Sequence, residues 1–137
     1  MIKSKFATAV HILSLLSLSP GEWLTSEYIA GSLNTNPALV RKELVSLRAA
    51  GLIESKEGKN GGSRLARPAS AIRLSDVFAA VKETHVFGFS PNMPNPACPV
   101  GAGIKNALDD LFTEIDDSIY NKLKHFTLAA FSTRFAV

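Results

Sequence analysis

The spacing of two short apolar-periodic segments around Asn34-Thr35-Asn36 constrains the fold of this chain more than any other feature. Before that turn, Thr25 is placed to cap a helix, Glu27 falls in its first turn, and Ile29, Ala30 and Leu33 supply one apolar face. After it, Asn36 offers a capping side chain and Pro37 takes the first helical position, where a missing N–H costs no hydrogen bond. Val40, Leu44, Leu47 and Leu52 mark the helix that follows, and Gly51 ends it. Two short helices about three residues apart, the second strongly capped, have helix-turn-helix spacing.

The flanking residues extend this unit. Upstream, Phe6, Ala9, Val10, Leu13 and Leu16 recur at steps of three and four, which predicts a helix over 5–18 that Pro20-Gly21 stops. Downstream, residues 52–56 and 63–67 flank Glu57-Gly58-Lys59-Asn60-Gly61-Gly62, which predicts a β-hairpin with a flexible, basic tip. A short helix is expected over 75–83, carrying Val77, Phe78 and Val81. Four of the seven prolines and three of the nine glycines then fall between Gly88 and Gly103, so an irregular loop containing Cys98 is expected. Beyond it, Ile104, Leu108, Leu111, Ile115, Ile119, Leu123 and Phe126 step by threes and fours, which predicts one long helix with an apolar stripe. The fold expected is mainly α with a small β-hairpin: a helix-turn-helix unit with a wing over 1–83, a loop over 84–103, and a dimerisation helix with a tail over 104–137.

A helix that long has few neighbours available in a chain of 137 residues, so its stripe, with Ile104, Leu108, Leu111, Ile115 and Ile119, is expected to meet its own copy in a two-fold homodimer. The alternative is that the stripe folds back on the N-terminal helices. Both arrangements can hold at once, because Phe112, Tyr120 and Phe131 provide a second face.

Composition and charge narrow the function. With 46% apolar and 20% charged residues the chain is too hydrophobic for a disordered segment. Its longest apolar stretch, Phe6 to Leu18, is interrupted by Thr8, His11, Ser14 and Ser17 and is too short for a membrane span. Lys3 and Lys5 resemble the start of a signal peptide, but no Ala-x-Ala site follows before Pro20-Gly21, so export is not expected. A single cysteine, Cys98, excludes an intrachain disulfide and suits a reducing cytoplasm. Residues 1–70 carry a net +4 and residues 71–137 a net −1, so the basic excess that phosphate binding requires belongs to the first half. An enzyme is not expected. His11, His85 and His125 lie on or beside three different predicted helices with no partner at metal-ligand spacing. Asp109-Asp110 and Asp116-Asp117 are expected to mark a solvated helix face. A Cys98–His85 nucleophilic dyad would lack both an orienting group and an oxyanion hole.

A helix-turn-helix followed by a glycine-tipped basic hairpin is a winged helix, and its dimensions suit double-stranded DNA. The second helix of the motif enters a major groove with its first turn toward the bases, which makes Asn36, Ala38, Leu39, Arg41 and Lys42 candidate contacts. In the wing, Lys56, Lys59 and Arg64 surround Gly61 and Gly62, whose missing side chains let the backbone approach a phosphate or a narrow minor groove. The competing use of such a domain is protein interaction without sequence-specific DNA binding, which needs no basic wing.

The run Leu44-x-x-Leu47-Arg48-x-Ala50-Gly51-Leu52-Ile53, with Gly58-x-x-Gly61-Gly62 and Leu65-Ala66-Arg67, resembles the BadM/Rrf-type winged-helix transcriptional regulators. The resemblance continues through Leu74-Ser75-Asp76-Val77-x-x-Ala80-Val81 and Asn95-Pro96-Ala97-Cys98 to Thr127-Leu128-Ala129. It implies a dimeric, cytoplasmic DNA-binding repressor or activator with the wing in the minor groove. Glu57 and Ser63 depart from it, standing where members often carry arginine and tyrosine. The best-known members bind an iron–sulfur cluster through three cysteines before the long helix, and Cys98 matches only the last of these. A cluster wants about four ligands, mostly thiolates, so no cofactor is expected. Cys98, just before a helix, is left either as a thiol that oxidants reach or as an inert remnant of the ligand loop. The effector, the operator and the regulated genes are not legible.

Overall fold

The computed structural model describes residues 4–82 and 85–136. Helix α1 (Lys5–Leu18) has the predicted bounds and runs through the centre of the molecule, with Ala9, Ile12, Leu13 and Leu16 buried. The helix-turn-helix follows as α2 (Ser26–Leu33) and α3 (Pro37–Ala49). Both caps form as the sequence requires: Thr25 Oγ1 accepts from the Tyr28 N–H at 3.1 Å, and Asn36 Oδ1 accepts from the Leu39 N–H at 3.0 Å. Ile29, Ala30, Val40, Leu44 and Leu47 face α1 and close the core of the N-terminal unit.

Strands β1 (Ile53–Lys56) and β2 (Gly62–Leu65) pair antiparallel, Ile53 opposite Leu65 and Lys56 opposite Gly62. A third segment joins them, because Leu24 and Ser63 exchange backbone hydrogen bonds of 2.9 and 2.8 Å. The wing is therefore anchored to the segment between α1 and α2. That contact explains Gly62: its φ is +149°, and a side chain there would strike the Leu24 carbonyl. A side chain at Gly61 would strike the Lys56 carbonyl.

The second half departs from the sequence expectation at three boundaries. Helix α4 spans Leu74–Val81, opened by Asp76 Oδ2 accepting from the Arg73 N–H at 2.9 Å; the expected end at Glu83 lies outside the described residues. Helix α5 spans Pro99–Leu123, so the irregular loop stops at Cys98 rather than Gly103. Proline is tolerated there because the first helical N–H has no intrahelical partner, and glycine is required at 101 because the Asn95 carbonyl lies against it. At its other end α5 stops at Leu123, short of Phe126, which the sequence periodicity places on the stripe. The Leu74 N–H donates to the Phe126 carbonyl and the Leu128 N–H to the Ile72 carbonyl, both at 2.8 Å. This short ladder turns the chain back, and α6 (Leu128–Ser132) packs on α1 with Leu128 wholly buried. The last residues thus complete the N-terminal core.

Candidate nucleic-acid interface

The outward side of α3 carries the residues expected there. Ala38, Leu39, Arg41 and Lys42 are exposed, and among the described residues no ion pair engages Arg41 or Lys42. Asn36 is exposed as well, but its carboxamide oxygen is occupied by the cap. Leu39 and Val45 are more than half exposed, which suits contact with a thymine methyl group. Val45 was not singled out from sequence.

A cleft of about 460 Å³ separates α3 from the wing, lined by Arg41, Val45 and Arg48 on one side and by Ser55, Lys56 and Gly61 on the other. Arg48 was also missed. Its guanidinium donates to Ser55 Oγ at 3.2 Å, and Ser55 Oγ lies 3.1 Å from Ser63 Oγ, so a polar chain ties α3 to both strands. Lys59 sits exposed at the wing tip with no ion pair among the described residues, and Lys56 is exposed at the end of β1.

Arg64 is placed differently. Successive side chains of a strand point to opposite faces, so Ser63 faces α3 and Arg64 faces away. Its guanidinium is paired with Glu54 on the opposing strand and stacks 4.1 Å from the centre of the Trp23 ring. Arg64 braces the wing against the segment after α1. The group expected to reach DNA already has two partners.

The loop cysteine is the N-cap of α5 and is exposed. The backbone N–H groups of Gly101 and Val100, at the first turn of the helix, hold its thiol below the ordinary range. Farther along α5, Leu111, Ile115, Ile119 and Leu123 line an open apolar trough together with Glu114, Ser118 and Lys122. Ile104 and Leu108 are half-buried. Phe112 turns inward instead, against the rings of Phe87 and Phe89. Asp116 is also buried, contrary to the solvated face expected for the paired aspartates, because His85 and the Val86 N–H bind its carboxylate. Among the described residues no helix is long and apolar enough to cross a membrane.

Residues 2–134 match the Rrf2 family, described as an iron-dependent transcriptional regulator. The chain is 44% identical over 124 residues to YwnA of Bacillus subtilis (strain 168), a protein named as an HTH-type transcriptional regulator, covering 90% of each chain. It superposes on a transcriptional regulator from Lactobacillus plantarum with TM-score 0.78 and 28% identity, covering 97% of this chain and 90% of that one. The fold also matches CymR of B. subtilis, the global cysteine regulator, with TM-score 0.70 and 21% identity over 98% of this chain and 97% of that one. The iron chemistry of the family description does not fit the donors present. Cys98 is the single thiol in the sequence, and among the described residues no three His, Cys, Asp or Glu side chains are grouped to hold a metal ion. The winged helix, its exposed basic surface and these likenesses together show that the chain belongs to the Rrf2 family of DNA-binding transcriptional regulators.

Proposed function

We propose that this protein is a homodimeric repressor that binds a palindromic operator in the cytoplasm and that Cys98 is the residue through which oxidants act on it. One observation carries the DNA-binding geometry: Arg41 and Arg48 of α3 and Lys56 of the wing line one open cleft, and Lys42 and Lys59 are exposed on the same helix and the same wing. In this reading α3 enters a major groove with Ala38, Leu39, Arg41 and Lys42 toward the base edges, while the glycine-tipped wing follows the adjacent backbone or minor groove. A two-fold dimer joined through Ile104, Leu108, Leu111, Ile115 and Ile119 presents two such helices, which is why the operator is an inverted repeat with half-sites about one helical turn or more apart. Repression is favoured because a dimer seated on a promoter excludes polymerase with no further contact. Footprinting on the DNA upstream of the protein's own coding region tests this directly. Protection of an inverted repeat supports it, and uniform weak binding along the fragment removes it.

The wing makes a finer distinction measurable. A lysine that neutralises a phosphate contributes about one unit to the slope of log affinity against log salt, so Lys59→Ala is expected to flatten that slope by about one. Arg64, held by Glu54 and Trp23, is expected to behave otherwise: Arg64→Ala weakens binding with the slope unchanged, because it loosens the wing without removing a phosphate contact. Equal slope losses in both variants would return Arg64 to the list of direct contacts.

Exposure and a lowered thiol pKa support Cys98 as the oxidant-sensitive residue. No second cysteine is available in the chain, so oxidation yields an intersubunit disulfide or a mixed disulfide with a small thiol. Diamide with glutathione is expected to lower operator affinity about tenfold, equivalent to about 1.4 kcal/mol, in the wild type and not in Cys98→Ser. The same response in both proteins would leave Cys98 without a sensing role.

A further inference from the structure

Two side chains between α4 and Cys98 reach the aspartates of α5 among the described residues, Lys82 at 3.9 Å and, more closely, His85. Its Nδ1 lies 2.6 Å from Asp116 Oδ2 and its Nε2 lies 2.8 Å from Asp109 Oδ1. The other Asp116 oxygen accepts from the Val86 N–H at 3.0 Å. Phe87 and Phe89 follow immediately and pack on Phe112, which sits between the two aspartates on the same face of α5. The start of the loop is thus fastened to the helix by one ring, one amide and two phenyl groups.

Ring chemistry decides the protonation state of such a clamp. Ionised carboxylates only accept hydrogen bonds, and a neutral imidazole has a single N–H to donate. Two carboxylates on opposite ring nitrogens are therefore satisfied together only by the imidazolium. A neutral ring would turn a lone pair toward one of them. Asp116 is buried and also bound by the Val86 amide, whereas Asp109 is exposed and can rehydrate, so Asp109 is the partner a neutral ring releases.

We propose that His85 is a proton-controlled latch: the imidazolium fastens residues 85–89, the leading end of the Cys98 loop, to α5 through Asp109 and Asp116, and loss of its proton releases Asp109, leaving Asp116 to hold them alone and more loosely. This device stands apart from the DNA-binding reading, since it needs only the loop and the helix. Among the described residues, the charged groups facing the ring are Asp109 and Asp116 of α5 and Lys82 at the end of α4, whose Nζ is 3.9 Å from Asp116 Oδ2. Lys105, one turn earlier on α5, lies over the Phe89 ring 6.0 Å from its centre. No Asp, Glu, Lys or Arg occurs between Val86 and Cys98. Hydrogen bonds to Asp109 and then Asp116 raise the His85 pKa above its ordinary value. A raised pKa means that the latch is complete below about pH 6.5 and is lost as pH rises through the folded value.

Nuclear magnetic resonance of the full-length protein tests this. The Cε1 protons of His11, His85 and His125 are titrated, and the protection factor of the Val86 amide, corrected for the intrinsic pH dependence of exchange, is followed from pH 6 to 9. In the wild type His85 is expected to titrate above the ordinary histidine value, with Val86 protection falling about tenfold or more across that transition. Asp109→Asn, a change at an exposed position, is expected to move both events to lower pH together. His85→Gln is expected to give a low protection factor with no pH dependence. A His85 that titrates at or below the ordinary histidine value, or Val86 protection that ignores pH in the wild type, overturns the proposal.

Discussion

Glutamate at both Leu111 and Ile115 is expected to leave a folded monomer whose operator affinity is reduced by about a hundredfold or more. The two residues lie on the open trough of α5, and Leu111 is 46% exposed in the single chain, so charge at these positions disturbs little within the protomer. The intrachain side of the helix is a different face, occupied by Phe112 and Asp116. In a dimer the same substitutions place four carboxylates in a desolvated apolar seam, which association cannot tolerate. Loss of dimerisation removes the second half-site contact, and joining two weak DNA contacts multiplies affinity by roughly 10² to 10⁴. Sedimentation gives the mass, circular dichroism shows that the helices survive, and fluorescence anisotropy on operator DNA gives the affinity. A variant that remains dimeric would move the interface away from this stripe.

The first half of the fold was legible because local signals and tertiary demands agree there. Thr25 and Asn36 announce helix starts with oxygen atoms that the backbone uses directly, and Gly51, at φ +76°, permits the turn out of α3. The long helix was legible in type and not in extent. Proline and glycine normally argue for a loop, yet Pro99 falls at the one helical position where proline is harmless, and Gly101 answers the Asn95 carbonyl, a contact that only the folded loop creates.

The candidate interface was legible by residue type and less so by direction. Arg64 and Lys59 look alike in a basic hairpin; the register Glu54 opposite Arg64 and Ser55 opposite Ser63 is what sends Arg64 to Trp23 and leaves Arg48 beside the cleft. That register depends on Leu24 pairing with Ser63, a contact across 39 positions of sequence. The aspartates of α5 did carry a usable signal. Asp109, Phe112 and Asp116 repeat at three and four residues, which places them on one face, and an apolar residue between two acids there marks a packed surface. Reading the acids as adjacent pairs hid that spacing.

Leu128→Ala is expected to destabilise the whole N-terminal unit by about 2–5 kcal/mol, although the residue lies only nine positions before Val137. Leu128 is 0% exposed and belongs to the same cluster as Ile12, Leu13 and Leu16 of α1. Its backbone is fixed by the hydrogen bond to Ile72, and the Thr127 hydroxyl caps the short helix that follows by accepting from the Ala130 N–H at 3.1 Å. The side chain therefore cannot be replaced by a neighbour sliding inward, and truncation leaves a cavity beside α1. At the entropy of unfolding usual for a chain of this size, a loss of about 3 kcal/mol lowers the melting temperature by roughly 10 °C. The melt must be run at fixed protein concentration, since any association between copies would also raise it. Ala129→Ser, one residue further on and only half-buried, is the control and is expected to change the melting temperature by a few degrees at most. If Leu128→Ala melts with the wild type, α6 is an appendage, and the helix-turn-helix unit stands without the end of the chain. If the expected loss is found, the DNA-binding unit is joined to both ends of α5, through the loop before it and through Leu128 after it, so a displacement of α5 has two routes to α3.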